Sequence, residues 1–158
     1  MTTPANEPKT PFLDKYFPDV YKQLVGAGAK LRDLYPDVDL SNALVELVCV
    51  RVSQLNRCAY CLSIHTPRAR KAGVAEVKLD LLVAWREAEE LYTEQERAAL
   101  TLAEQLTLLP EGQRNGDAAL QACKVFAEEQ VAALEWVVVT MNAFNRVSIA
   151  SGHPPKPY

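Results

Sequence analysis

Apolar residues recur at intervals of three and four along most of the chain, and proline, glycine and capping residues cut that pattern into helical segments. Leu13, Tyr16, Phe17, Val20, Tyr21, Leu24 and Val25 predict an amphipathic helix, shortened by Pro18 and by the Gly26/Gly28 pair. After Pro36, Ser41 is the expected N-cap of a helix running through Leu44, Val45, Val48 and Val52 to about Gln54. Val48, Val50 and Val52 also alternate as a strand would, but Glu46 and Arg51 would break a short buried strand, so helix is the assignment. The next segment, 58–72, stops at Gly73, a good C′ glycine, with Arg68, Arg70 and Lys71 in its last turn to complement the helix dipole. Pro67 removes one backbone donor and disfavours helical geometry at Thr66, which predicts a kink or local break just after His65. Thr93-Glu94-Gln95-Glu96 is a capping box opening a helix through Ala99, Leu102, Ala103 and Leu106 that ends before Pro110. A loop over 111–116 leads to Asp117 as an N-cap, a helix near 118–126 and a long final helix near 129–149.

No segment reads convincingly as a strand, so the expected class is all-α: one domain spanning 1–158, a bundle of about six to eight helices. Residues 1–11, with Pro4, Pro8 and Pro11, and the proline-rich tail 152–158 are expected to be flexible arms, with His153 exposed. At 158 residues the chain is long enough to bury a core without stapling. Four cysteines do not make a secreted disulfide framework, and with no signal peptide pattern the expected location is the cytoplasm. A formal charge of −3 supplies no global basic field for nucleic acid, and no apolar run approaches a membrane span. Small molecules and protein partners are the expected ligands.

Six identities recur at a constant offset of 89: Ala43, Glu46, Val48, Val50, Asn56 and Arg57 return as Ala132, Glu135, Val137, Val139, Asn145 and Arg146. Either a helix–turn scaffold occurs twice, or helix-rich composition produced the matches by chance. The second copy reads Val147-Ser148-Ile149-Ala150 where the first reads Cys58-Ala59-Tyr60-Cys61, so the chemistry belongs to one copy.

That chemistry is concentrated in Cys58-Ala59-Tyr60-Cys61-Leu62-Ser63-Ile64-His65. On a helix, positions i, i+3 and i+7 fall within about 60° of one another, so both thiols and the imidazole share one stripe. A free thiol near pKa ~8.5 is mostly protonated at neutral pH, so reactivity needs a base, a cation or a helix N-terminus. Cys58 stands at the expected helix start and His65 one turn beyond Cys61. If the two helices form a hairpin turning near 55–57, Glu46 lies roughly 15 Å back from the turn and His65 roughly 10–13 Å, so carboxylate and imidazole can meet. The helix dipole alone favours Cys58 as the more acidic thiol. Proximity to a base favours Cys61, and a base also supplies the proton a departing oxygen needs. The Tyr60 hydroxyl is a candidate for lining the substrate pocket.

Glu46, Cys58-x-x-Cys61-x-x-x-His65 and Ala69-Arg70-Lys71-Ala72-Gly73 resemble the signature of the alkylhydroperoxidase D-like proteins of the carboxymuconolactone decarboxylase superfamily. The resemblance continues through Trp85-Arg86-Glu87-Ala88, Tyr92-Thr93-Glu94 and Asn142-Ala143-Phe144-Asn145-Arg146, and so covers most of 15–150. It implies an all-helical homo-oligomer, a trimer or hexamer, that reduces peroxides through the dithiol. In that scheme Cys61 is the peroxidatic thiol, Cys58 the resolving partner, and Glu46 with His65 the proton relay. A lipoylated or thioredoxin-like protein is the implied reductant, and no metal, flavin or haem is required. Organic hydroperoxide is the first choice of substrate, because the flanking stripe is apolar.

Other outcomes stay open on the sequence alone. The cysteines can be core residues, or zinc ligands with His65 and Glu46, although zinc Cys-x-x-Cys pairs usually occupy a tight turn rather than a helix. The chain can be a carboxymuconolactone decarboxylase-type enzyme, or a non-catalytic redox-sensing helical protein. Cys49 and Cys123 are expected to be inert core thiols, Glu135 structural, and Trp85, Trp136 and Phe144 core or interface anchors. Residues 86–90 read as a solvated helix face.

Overall fold

The structure, a computed structural model, describes residues 10–112, 114 and 116–157. Among them are eight α-helices: α1 (Leu13–Tyr16), α2 (Pro18–Leu34), α3 (Asn42–Leu55), α4 (Ala59–Lys71), α5 (Glu76–Leu81), α6 (Glu94–Leu108), α7 (Asp117–Ala122) and α8 (Glu128–Ser151), with a 3₁₀ stretch at Leu82–Leu91 between α5 and α6. The class is all-α, as the periodicity predicts, and the Cys-x-x-Cys pair stands at the start of α4. Of the proposed N-terminal arm, residues 1–9 lie outside the described residues.

Helix α3 is the centre of the bundle, packed against α4, α6 and α8. Val48 and Val52 join Leu134 and Val138 in one apolar cluster, while Leu47 and Val50 join Leu82, Trp85 and Leu100 in another. A helix buried on opposite sides carries apolar residues all round, and this is why its valines alternate as in a strand. Ser41 caps it as expected, its hydroxyl accepting from the Leu44 amide at 3.2 Å. The Thr93–Glu96 capping box also forms in both directions.

Several sequence expectations are corrected. α2 runs straight through Gly26 and Gly28 to Leu34. Gly28 is a packing residue there, since a Cβ on it would lie 3.4 Å from the Phe144 ring on α8. α4 is not interrupted after His65 and continues through Pro67 to Lys71. Asp117 lies in the first turn of α7 rather than capping it, and that helix ends at Ala122. Cys123 is exposed, not a core thiol. Trp85 is a core residue, as expected, and Trp136, 60% exposed, lies outside the core of this chain.

The C-terminal tail folds back on the bundle. His153, expected to be exposed, has a side chain only 12% exposed, with Nε2 3.1 Å from Asp14 Oδ1. Its ring packs between Phe12 and Tyr60, with centroid distances of 5.1 and 5.2 Å. The Lys156 amide donates to Ser63 Oγ on α4 at 2.9 Å. Proline stops helix propagation in the tail but does not stop it packing.

Candidate functional site

The turn between α3 and α4 places the two thiols. Arg57 takes the left-handed conformation (φ 56°), and the Cys58 amide donates back to the Ser53 carbonyl at 3.0 Å, so the chain reverses and α4 starts beside α3. Cys58 is the N-cap of α4: its sulfur accepts from the Cys61 amide at 3.4 Å. Both thiols are free and buried. Cys58 and Cys61 also share a side-chain hydrogen bond, and this shared proton sets their acidities apart. Accepting it lowers Cys58 to about 7, against burial, with help from the Cys61 and Tyr60 amides and from Asn145. Donating it raises Cys61, and burial raises it further. The first ionisation of the pair therefore falls near neutral pH, and its charge rests on Cys58.

Glu46 on α3 and His65 on α4 meet as the hairpin arithmetic predicts. His65 Nδ1 and Glu46 Oε2 are 2.7 Å apart, and both side chains are largely covered. With the carboxylate accepting from Nδ1–H, Nε2 is left as the basic nitrogen of the ring. The imidazole makes no hydrogen bond to Cys61 among the described residues; the Cys61 sulfur instead pairs with the Ser148 hydroxyl on α8 at 3.8 Å, a bond that lowers the pKa of the thiol.

Cys61, His65, Glu46 and Tyr60 line one cavity of about 310 Å³, walled by apolar side chains that include Val25, Leu31, Val45, Ile64, Met141 and Phe144. Cys58 does not line it. Of the stripe of two thiols and an imidazole, only the second thiol and the imidazole open on this space. Cys49 also lines it, and burial, then the nearby Glu46 charge, push its thiol far up. Among the described residues no group of three or more His, Cys, Asp or Glu is gathered closely enough to hold a metal ion.

Residues 18–105 match the sequence profile of the carboxymuconolactone decarboxylase family. The chain belongs to this family. A relative described as an uncharacterised protein, YdfG of Bacillus subtilis, is 39% identical over 108 residues, which cover 68% of this chain and 73% of that protein. The fold also matches a crystal structure from Agrobacterium tumefaciens, described as a protein of unknown function and suggested there to be an antioxidant defence protein of the AhpD kind. That match has a TM-score of 0.81 and 24% identity, over 96% of this chain and 100% of that one. The carboxymuconolactone decarboxylase profile ends at Leu106's neighbour Gln105, before α8, yet α8 supplies part of the site.

Two of those α8 residues escaped the sequence reading as site residues. Asn145 is fully buried; its amide reaches both sulfurs, lowering each, and donates to Ser53 Oγ at 3.2 Å. Ser148 is the hydroxyl beside Cys61. The signal for Asn145 was present in the recurrence of Asn56 at an offset of 89, but that recurrence said nothing of sulfur. Among the described residues no helix is long and apolar enough to cross a membrane.

Proposed function

We propose that this member of the carboxymuconolactone decarboxylase family is a thiol peroxidase that reduces organic hydroperoxides through a Cys58/Cys61 dithiol–disulfide cycle, with Glu46 and His65 as its proton relay. One observation carries the reading: the thiolate-holding pair and the hydrogen-bonded Glu46–His65 pair share an apolar cavity into which Cys61, but not Cys58, opens.

The cycle begins when the proton of Cys61 moves along its hydrogen bond to Cys58, leaving the thiolate on the sulfur that faces the cavity. This thiolate attacks the terminal peroxide oxygen; an S–O bond forms, the O–O bond breaks, and an alkoxide departs. His65 delivers a proton to the alkoxide from Nε2, as an imidazolium held by the Glu46 carboxylate, and the relay recovers that proton from solvent. Cys58 then attacks the sulfenic sulfur, the S–S bond forms, and water leaves. An external dithiol, as a lipoylated or thioredoxin-like protein provides, restores both thiols by exchange. Such a cycle belongs in a reducing compartment such as the cytoplasm.

The test is hydroperoxide consumption supported by a small dithiol, combined with sulfenic acid trapping. Peroxide is expected to yield a trappable sulfenic acid in Cys58→Ser and none in Cys61→Ser. The opposite labelling exchanges the two roles. Lactone turnover by a Cys58→Ser/Cys61→Ser double variant, with no peroxide consumption by the parent, replaces the peroxidase reading with a decarboxylase one.

A further inference from the structure

The cavity that Cys61 shares with His65 is apolar within and cationic at its opening. Three of its lining residues are exposed polar groups and mark the rim: Arg32 on α2, Asn42 at the first position of α3, and Arg68 on α4. Neither Arg32 nor Arg68 forms a side-chain hydrogen bond or ion pair among the described residues, whereas Arg51, Arg70, Arg86 and Arg97 are all engaged. Glu46, the acidic residue of the lining, is engaged by His65. α3 presents its N-terminus beside Asn42 with no acidic residue in its first turn, so the free amides of that end add to the positive rim. A chain whose formal charge is −3 thus holds two uncommitted guanidinium groups at the mouth of its reactive cavity.

We propose that the substrate is an amphipathic, carboxylate-bearing hydroperoxide, its carboxylate held by Arg32 and Arg68 at the rim and its hydrocarbon chain in the cavity, with the peroxide at Cys61. This rests on the peroxidase reading above and specifies its substrate class. Guanidinium groups match a carboxylate with paired N–H donors, and such charge-assisted bonds are stronger than neutral ones. Arg68 follows Cys61 by seven residues on α4, so rim and sulfur are separated by roughly 10 Å along the helix. A chain of about that length joins the two ends of the substrate, and about 310 Å³ is room for it. The carboxylate contributes to binding without touching the O–O bond, so its effect falls on KM rather than kcat.

The test compares ω-hydroperoxynonanoate with its methyl ester under dithiothreitol-supported turnover at fixed ionic strength. The expected kcat/KM for the acid exceeds that for the ester at least about tenfold, through KM, and the ratio falls towards one in Arg32→Gln/Arg68→Gln. Circular dichroism and the thermal midpoint establish that the double variant is folded. Equal values for acid and ester in the parent protein overturn the carboxylate assignment and leave the peroxidase reading standing. A ratio that survives in the double variant overturns it too, as does a double variant whose defect is a raised KM for a protein reductant alone, which makes the arginines a docking patch. If neither hydroperoxide is consumed, the peroxidase reading fails, and calorimetry decides the anion site independently. Nonanoate binding more tightly than neutral nonanamide, with the difference lost in the double variant, supports the site; equal or absent binding overturns it.

Discussion

Asn56 Nδ2 donates to Asn145 Oδ1 at 2.8 Å, joining two residues that stand 89 positions apart. The flanking bonds cross over this pair: Asn145 donates to Ser53, 92 residues away, and Asn56 donates to Asn142, 86 residues away. The sequence echo between α3 and α8 is therefore physical at this point, because the echoed side chains bond to one another across the interface of the two helices. Asn145 connects that interface to the sulfurs, since the same amide reaches Cys58 and Cys61. One buried side chain thus joins the helix pairing to the acidity of the dithiol, to which it contributes beside the larger Cys58–Cys61 bond.

Asn145→Ala is expected to lower stability by about 2–3 kcal/mol, because Ser53 and Asn56 each lose a partner in a buried setting. It is also expected to raise the pKa of Cys58, since a donor to the thiolate is gone. Chemical denaturation reads the first effect and thiolate ultraviolet absorbance against pH the second. An unchanged thiol titration would remove Asn145 from the site.

The reduced protein is expected to show one thiolate titrating near the value of about 7 held by Cys58. An unfolded thiol ionises near ~8.5, so this group's folded value is depressed and its contribution to stability is present above ~8.5 and lost as pH falls through about 7. The largest cause of the depression is the hydrogen bond from Cys61, so Cys61→Ala is expected to move the midpoint up by about one unit. A midpoint that stays near 7 in that variant would mean that the helix-terminal amides and Asn145 suffice to acidify Cys58.

His65→Asn is expected to reduce kcat/KM for hydroperoxide by about 10²–10⁴, the usual range for removing a positioned acid–base group. Glu46→Gln keeps the shape and loses the charge, and a fall of about tenfold or more is expected from its weaker hold on the imidazole. Neither group contributes to the lowered pKa of Cys58, so the thiolate titration is expected to stay in place while turnover falls. Stopped-flow oxidation and the thiol titration, measured on the same samples, distinguish a relay from a merely structural pair.

The helices and the Glu46–His65 meeting were legible in the sequence because both follow from local rules: capping residues, periodicity, and rise per residue along a hairpin. The errors came where tertiary packing overrides such rules. Gly28 looked like a helix breaker and is a close-approach site for Phe144. Pro67 looked like a break, yet α4 carries it, with its flanking turns held by packing on α3 and α8. His153 looked free in a proline-rich tail and instead fills a space between Phe12 and Tyr60. Which of the two sulfurs opens on the cavity depends on the turn at Arg57 and on α8, and no spacing in the Cys-x-x-Cys segment encodes either.

Away from the site, Glu104 on α6 ties the second apolar cluster together. It accepts from Trp85 Nε1 at 2.8 Å, from Arg51 Nη2 at 2.6 Å and from Arg86 Nη2 at 2.7 Å, joining α3, α6 and the 3₁₀ stretch. Residues 86–90, which read as a solvated face, thus include one arginine committed to this carboxylate. Burial alone would raise the Glu104 carboxyl, but the bonds from Trp85, Arg86 and Arg51 outweigh it and hold the group below the usual carboxylate range. A depressed carboxyl stabilises the fold above its unfolded value of about 4.3, and that contribution disappears as pH falls through the lower folded value. Glu104→Gln keeps one acceptor but leaves the largely buried Arg51 without its counter-charge, so a loss of about 2–4 kcal/mol at neutral pH is expected. The gap between parent and variant is expected to narrow as pH falls from about 4.3 towards the lower folded value, because protonation then favours the unfolded parent. Urea midpoints measured at both pH values test this, and a gap of equal size at each would mean that shape, not charge, is what Glu104 contributes.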